Sequence, residues 1–234
     1  MIKDNKDRHG SRQGMIQLII GVLVFGSIWG FLEATLGGFL NLIIFPNKGA
    51  IMGGIGMAIM GIALAIYRKP AMLPGIGIVA ASFKWLNAWL LFVPPSAVQI
   101  INPAMAIILE SVACSLVAVF LMNRISRNLF VGTGAGVLVG LISAIAYVYF
   151  AVYVTHSPIF ERLGIKSIGE FITGNGIVQA VFFGVFLPLG YLVGEKLAAA
   201  ISSVLVRRPL YYAASAAIIC FCWGISVVAV MAGL

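Results

Sequence analysis

Apolar residues fill seven long stretches of the chain, and short polar or proline-containing segments separate them. Within each stretch nearly every residue is apolar, without the alternation of polar and apolar positions that marks a membrane β-barrel. About 20 consecutive apolar residues suffice for an α-helix to cross the hydrocarbon core of a bilayer. The pattern predicts helical segments near residues 15–43, 50–67, 71–93, 101–122, 129–154, 176–194 and 210–233.

These segments predict an all-α fold, a polytopic integral membrane bundle of six or seven transmembrane helices. A single transmembrane domain is expected over residues 15–234, after a cytoplasmic polar tail at residues 1–14. Whether the stretch 210–233 spans is left open. The segment EKLAAAISSVLVRRP, residues 195–209, either extends the sixth helix or forms an amphipathic helix on the membrane surface, and we expect the surface helix.

Composition supports the membrane class. The chain is 62% hydrophobic and 9% charged, whereas a soluble domain has about a quarter charged residues. The net charge of +8 does not indicate nucleic-acid binding, because the charges lie in short segments between apolar stretches. All three cysteines fall within apolar stretches, and we expect buried thiols without a disulfide or metal site.

The distribution of basic residues predicts the orientation. With the amino terminus in the cytoplasm, eleven of the fifteen Lys and Arg residues lie inside, three lie outside, and Lys84 lies within a helix. The inner set is Lys3, Lys6, Arg8, Arg12, Arg68, Lys69, Arg124, Arg127, Lys196, Arg207 and Arg208, and the outer set is Lys48, Arg162 and Lys166. The positive-inside rule therefore predicts a multi-pass protein of the cell (inner or plasma) membrane with a cytoplasmic amino terminus.

Three ionisable residues, Glu33, Lys84 and Glu110, lie well inside predicted helices. A charge among lipid tails costs at least about 2.5 kcal/mol, so such residues are expected to have partners. Each lies about nine or ten residues from the outer end of its helix, which places all three roughly 13–15 Å below the outer surface. We expect Lys84 to face the bundle interior and to pair with Glu33, Glu110 or both.

Polar and aromatic residues surround this level, as in a small-molecule pocket. Asn87 lies one turn from Lys84, and Gln179 on the sixth helix is expected to face the pocket. The predicted substrate-binding residues are Glu33, Lys84, Trp85, Asn87, Gln99, Asn102 and Glu110. Two carboxylates and one ammonium suit a cationic or zwitterionic solute, or a coupling proton. The structural alternative is a buried ion pair that only fixes helix register.

Motifs of membrane enzymes are missing from the sequence. Neither H-E-x-x-H nor an acidic D-D-x-x-D motif occurs, and the chain has no nucleotide-binding domain. The sequence therefore predicts a non-enzyme without catalytic residues, cofactor or metal site.

Small residues recur at every fourth position of the first helix, at Gly26, Gly30, Ala34 and Gly38. Such a stripe lets another helix approach closely. With its cytoplasmic amino terminus, this stripe and an outward-side polar pocket, the chain resembles the membrane substrate-binding (S) component of energy-coupling-factor transporters. The resemblance implies a coupling face at the four stripe positions, with a transmembrane coupling subunit and ATPases as partners. Members typically have six spans, so the stretch 210–233 departs from the pattern.

The function predicted from the sequence is uptake of a small solute across the membrane. A proton-coupled secondary carrier or channel is one alternative. A non-catalytic membrane subunit of a larger complex is the other. The identity of the solute is not encoded in any motif of this sequence.

Overall fold

The computed structural model describes residues 2–125, 128–206 and 208–233, which are helical with short connections and contain no strand. The side chains of residues 2–13, 41, 162–163, 202–206 and 208 fall outside this description. The side chains of eight basic residues that were used to predict the orientation therefore fall outside the description: Lys3, Lys6, Arg8, Arg12, Arg127, Arg162, Arg207 and Arg208.

Seven long helices and two short ones make up the described part of the chain. The bounds are α1 (Ile2–Leu42), α2 (Lys48–Tyr67), α3 (Leu73–Leu90), α4 (Val98–Ile125), α5 (Leu129–Tyr153), α6 (Ile159–Leu163), α7 (Ile168–Phe171), α8 (Ile177–Val206) and α9 (Arg208–Met231). A 3-10 turn at Pro70–Met72 precedes α3, and a π-helical turn at Ile172–Gly176 precedes α8. Each long helix matches one predicted apolar stretch to within a few residues, except at the extended ends of α1 and α8.

Six helices of the described chain are long and apolar enough to cross a membrane: Gly14–Leu40, Lys48–Tyr67, Val98–Ile125, Leu129–Tyr153, Ile168–Ile201 and Pro209–Met231. The six apolar helices indicate a multi-pass membrane protein. The long helix α3 is not among them, because Lys84 and Asn87 lower its hydropathy. Instead α3 packs between α1 and α4 and also contacts α9, so neighbouring helices cover much of its surface.

Consecutive long helices run in opposite directions. Helix α3 lies parallel to α1, because Gly26 contacts Val79 and, further along both helices, Glu33 contacts Lys84. The interhelical contacts of the other helices continue the alternation through α2, α4, α5, α8 and α9. The amino-terminal end of α1 and the carboxyl-terminal end of α9 therefore lie at opposite ends of the bundle.

Glycines allow close packing of α8 against α2 and α5. A Cβ on Gly61 of α2 would lie 2.5 Å from the backbone oxygen of Leu187, and one on Gly140 of α5 would lie 2.5 Å from the Cα of Ala180. Backbone-to-backbone approach of this kind needs glycine on at least one helix. This packing fixes the rotation of α8 relative to its neighbours and so places Gln179.

Three of the four positions of the small-residue stripe of α1, Gly26, Gly30 and Ala34, pack within the chain. Gly26 and Gly30 lie against α3, where the side chains of Val79 and Phe83 fill the space. Ala34 is buried in a cluster formed by α1, α3 and α9, and Gly38 is half-buried. Helix α9, the seventh long helix, and α3 together cover these stripe positions of α1.

Two further expectations differ from the structure. Residues 195–206 continue α8 without a break, rather than forming a separate surface helix, because no glycine or proline interrupts the helix there. Cys114 and Cys222 are buried as expected, but Cys220 is exposed. Cys220 and Cys222 are two residues apart on α9 and so point to different faces of the helix.

Candidate functional site

The amino group of Lys84 forms a salt bridge with the carboxylate of Glu33. Lys84 Nζ lies 3.1 Å from Glu33 Oε2 and also donates a hydrogen bond to the backbone oxygen of Glu33 at 3.3 Å. Only 14% of the lysine side chain and 10% of the glutamate side chain are exposed. The structure thus confirms that α1 and α3 bring these two charges to the same level, and it selects Glu33 as the partner of Lys84.

Glu110 on α4 lies buried beside this pair. Its Oε1 accepts a hydrogen bond from Gln179 Nε2 at 3.0 Å, and the same nitrogen donates to Ser143 Oγ at 3.3 Å. Glu110 and Glu33 are both buried, and the hydrogen bonds of Gln179 join α4, α5 and α8 at Glu110.

Helix α2 presents a surface without side chains to this cluster. A Cβ on Gly53 would lie 2.9 Å from Glu110 Oε1 and 2.7 Å from the ring of Phe183. A Cβ on Gly56, one turn further along α2, would overlap the indole of Trp29. The glycines thus leave room for the carboxylate and the indole, which both lie against α2.

Two buried polar atoms near the cluster have no hydrogen-bond partner. They are Nε1 of Trp29 and Oδ1 of Asn87. Trp29 is fully buried and precedes Glu33 by one turn of α1, while Asn87 follows Lys84 by one turn of α3. Buried polar atoms in proteins almost always have partners, so each such atom calls for an explanation.

Other residues predicted for the site lie elsewhere or take no part in the cluster. The side-chain amide of Asn102 donates to Ser157 Oγ at 2.8 Å and accepts from Thr155 Oγ1 at 3.2 Å, so it ties the start of α4 to the end of α5. Gln99 is exposed, and Trp85 is half-buried against the main hydrophobic core. The structure therefore brings together Glu33, Lys84 and Glu110, with Asn87 next to them.

Ser143 is the cluster residue that sequence reasoning missed. Its hydroxyl donates to the backbone oxygen of Gly140 at 3.2 Å while accepting from Gln179. A serine in an apolar helix commonly bonds to its own backbone, so its sequence context carries no sign of a second partner. The single amide of Gln179 in an apolar stretch was the available signal, and the structure places it in the cluster.

Two cavities are found at the other end of the bundle. One of about 640 Å³ is lined by Asn123, Arg124, Asn128 and Val131, and one of about 150 Å³ includes Tyr191 and Glu195 in its lining. Arg124 is fourteen residues beyond Glu110 on α4, which corresponds to about 21 Å along the helix. Neither of these cavities touches the charged cluster, and the hollow expected around the three charges is not among them.

The cluster combines two carboxyl groups with one amino group. The amino group of Lys84 pairs with Glu33, whereas Glu110 accepts a hydrogen bond from Gln179. Within the described residues, no group of three or more His, Cys, Asp or Glu side chains is placed to hold a metal ion.

Comparisons with protein-family models, curated proteins and solved structures found no match to this chain.

Proposed function

We propose that this protein is a membrane transport component that takes up a small, positively charged solute and holds it at the cluster of Glu33, Lys84 and Glu110. The observation that carries the proposal is that two nearly buried carboxyl groups, those of Glu33 and Glu110, accompany one lysine, Lys84, which pairs with Glu33. Ionisable residues inside membrane helices mark solute paths by default, because burying them is costly.

The proposed orientation has the amino terminus in the cytoplasm of a cell-membrane protein. The alternating helices support it, since they gather Arg68, Lys69, Arg124 and Lys196 at one end of the bundle. Lys48, the first residue of α2, and Lys166, between α6 and α7, lie at the other end. In this orientation the charged cluster lies toward the outer half of the bundle, where an uptake protein would first meet its solute.

Native mass spectrometry of the gently purified protein tests the binding role. We expect a retained small molecule in the wild type and its loss in Lys84→Met and in Glu110→Gln. Lys69→Met and Glu161→Gln are matched controls, because both residues are exposed and lie in or beside connections. If the two cluster variants only lowered thermal stability while the retained mass stayed, the charges would be structural and the protein a non-transporting subunit.

A proton-coupled carrier is the second candidate, and one observation favours it. Glu110 is a buried carboxyl group that accepts a hydrogen bond from the neutral amide of Gln179, and a proton, unlike an organic solute, needs no cavity. A carboxyl group that gains and loses a proton at this level would couple transport to the proton gradient. Proteoliposomes with an internal pH dye would show proton flux in the wild type and little or none in Glu110→Gln. Flux equal in both would remove this candidate.

The resemblance to S components supports a proposal that this protein works with a transmembrane coupling subunit and ATPases. A coupling subunit with its ATPases would have to dock elsewhere than on Gly26, Gly30 and Ala34, because α3 and α9 cover these positions. Copurification of tagged protein from its own membranes tests the idea. A stoichiometric transmembrane subunit together with ATPases is the expected result, and recovery of the chain alone with intact uptake in proteoliposomes would contradict it.

A further inference from the structure

The buried indole of Trp29 narrows the class of solute. Its Nε1 carries a hydrogen that no protein acceptor receives, although the side chain is fully buried. An N–H group in this situation has lost its hydrogen bonds to water without replacement. An occupant with a hydrogen-bond acceptor would supply the missing partner.

Asn87, by contrast, has a buried hydrogen-bond acceptor without a donor. Its Oδ1 is buried and accepts no hydrogen bond. Asn87 follows Lys84 by one turn, and Trp29 precedes Glu33 by one turn, so the two unpartnered atoms flank the Lys84–Glu33 salt bridge. An occupant with an N–H group would satisfy this acceptor.

The glycine surface of α2 places the Trp29 indole close to the second carboxylate. Gly53 lies against Glu110 Oε1, and Gly56, on the next turn and the same face, lies against the Trp29 indole at its Nε1 edge. Residues three apart on a helix have neighbouring Cβ positions, about 5–6 Å from each other. The unpartnered donor and the carboxylate that lacks a cation are therefore neighbours.

We propose, on the basis of the transport function above, that the site binds a small organic monocation that carries a hydrogen-bond acceptor, such as a protonated amino alcohol. Its ammonium group donates to the carboxylate of Glu110 and balances the charge of that group. Its hydroxyl oxygen accepts the hydrogen of Trp29 Nε1, which lies beside Glu110 along the glycine surface of α2.

Close packing around the cluster argues that this solute is small. Phe83, Phe183 and Met57 are fully buried core residues of the same region. The cavity lined by Arg124 lies about 21 Å away along α4. An occupant of a few heavy atoms requires the least rearrangement of these side chains.

Four two-carbon probes separate charge from hydrogen bonding: ethanolamine, ethylamine, glycine and glycolate. Each is titrated into the purified full chain with ¹⁵N-labelled tryptophan, and the indole N–H resonances are followed by NMR. The resonance missing from Trp29→Phe identifies Trp29. We expect ethanolamine to shift that resonance, ethylamine to bind at least about tenfold more weakly because it offers no acceptor, and glycine and glycolate to be weaker than ethanolamine.

Substitutions test the proposed ligand contacts in a second way. Trp29→Phe is expected to lower ethanolamine affinity to that of ethylamine while leaving ethylamine affinity unchanged, and Glu110→Gln is expected to weaken both. Trp89→Phe is the matched control, since Trp89 is 81% exposed. If Trp29→Phe fails to fold, the Trp29 resonance is identified by elimination, as the one that Trp85→Phe, Trp89→Phe and Trp223→Phe all retain.

Three results would overturn the inference. One is glycine or glycolate binding as tightly as ethanolamine. Another is an unchanged ethanolamine-to-ethylamine ratio in Trp29→Phe. The third is that the Trp29 indole N–H is found next to a bound water and its resonance shifts with none of the four probes. A retained cation that carries no hydrogen-bond acceptor and is lost in Glu110→Gln would leave the transport function standing while this inference failed.

Discussion

Gln179 on α8 donates one amide hydrogen bond to the Glu110 carboxylate on α4, at 3.0 Å. The two residues are far apart in sequence, and the contact depends on the glycine packing that holds α8 against α2 and α5. The same amide also reaches Ser143 on α5. One uncharged side chain thereby joins three helices at the level of the charged cluster.

Gln179→Leu should lower stability, because it leaves Glu110 Oε1 without its donor. The loss of a partner for a buried polar group costs about 1–3 kcal/mol, and a charged group costs more. A lower midpoint of thermal unfolding in detergent would show it. Gln99→Leu is the control, since Gln99 is exposed and surface changes usually stay within about 0.5 kcal/mol. Equal midpoints for the two variants would contradict a bracing role of Gln179.

The Lys84–Glu33 salt bridge predicts a strong coupling between substitutions. Lys84→Met alone leaves the carboxylate of Glu33 without its cation, and breaking a buried pair in this way costs about 3–5 kcal/mol. Adding Glu33→Gln removes that unpaired charge, so the double variant should recover part of the loss. A double-mutant cycle on unfolding free energy measures the coupling, and additive effects would show that the pair does not interact.

Two glycines of α5 should respond in opposite ways to alanine. A Cβ on Gly136 would overlap the backbone oxygen of Phe183 on α8, whereas Gly134 has open space around it. Gly136→Ala should cost about 1–3 kcal/mol through overpacking, and Gly134→Ala should gain up to about 1 kcal/mol from helix propensity. Thermal unfolding of the two variants checks both signs. Destabilisation of the same size in both would refute the close α5–α8 packing.

The alternating helices predict that the two termini lie on opposite sides of the membrane. A fluorescent protein that matures only in the cytoplasm should fluoresce on the amino terminus and stay dark on the carboxyl terminus. A phosphatase that is active only outside should give the reverse pattern. Two cytoplasmic ends would show that one of the seven long helices fails to span, with α3 the first candidate because Lys84 and Asn87 lower its hydropathy.

The sequence by itself determined where the long helices lie and that Glu33 and Lys84 sit at one level of the bundle. Helix extent follows from local hydropathy, and depth follows from counting residues at a constant rise per residue. Both are properties of one segment at a time, which is why the predicted stretches match the helices closely.

The tertiary structure alone decided which groups meet. Lys84 pairs with Glu33 while Glu110 bonds to Gln179, the α1 stripe packs against α3 and α9, and the cavities lie at the other end of the bundle. These choices depend on how each helix is rotated about its axis and on which helix becomes its neighbour. Such rotation arises from the fit of glycine surfaces to side chains distant in the sequence, and no single segment encodes it.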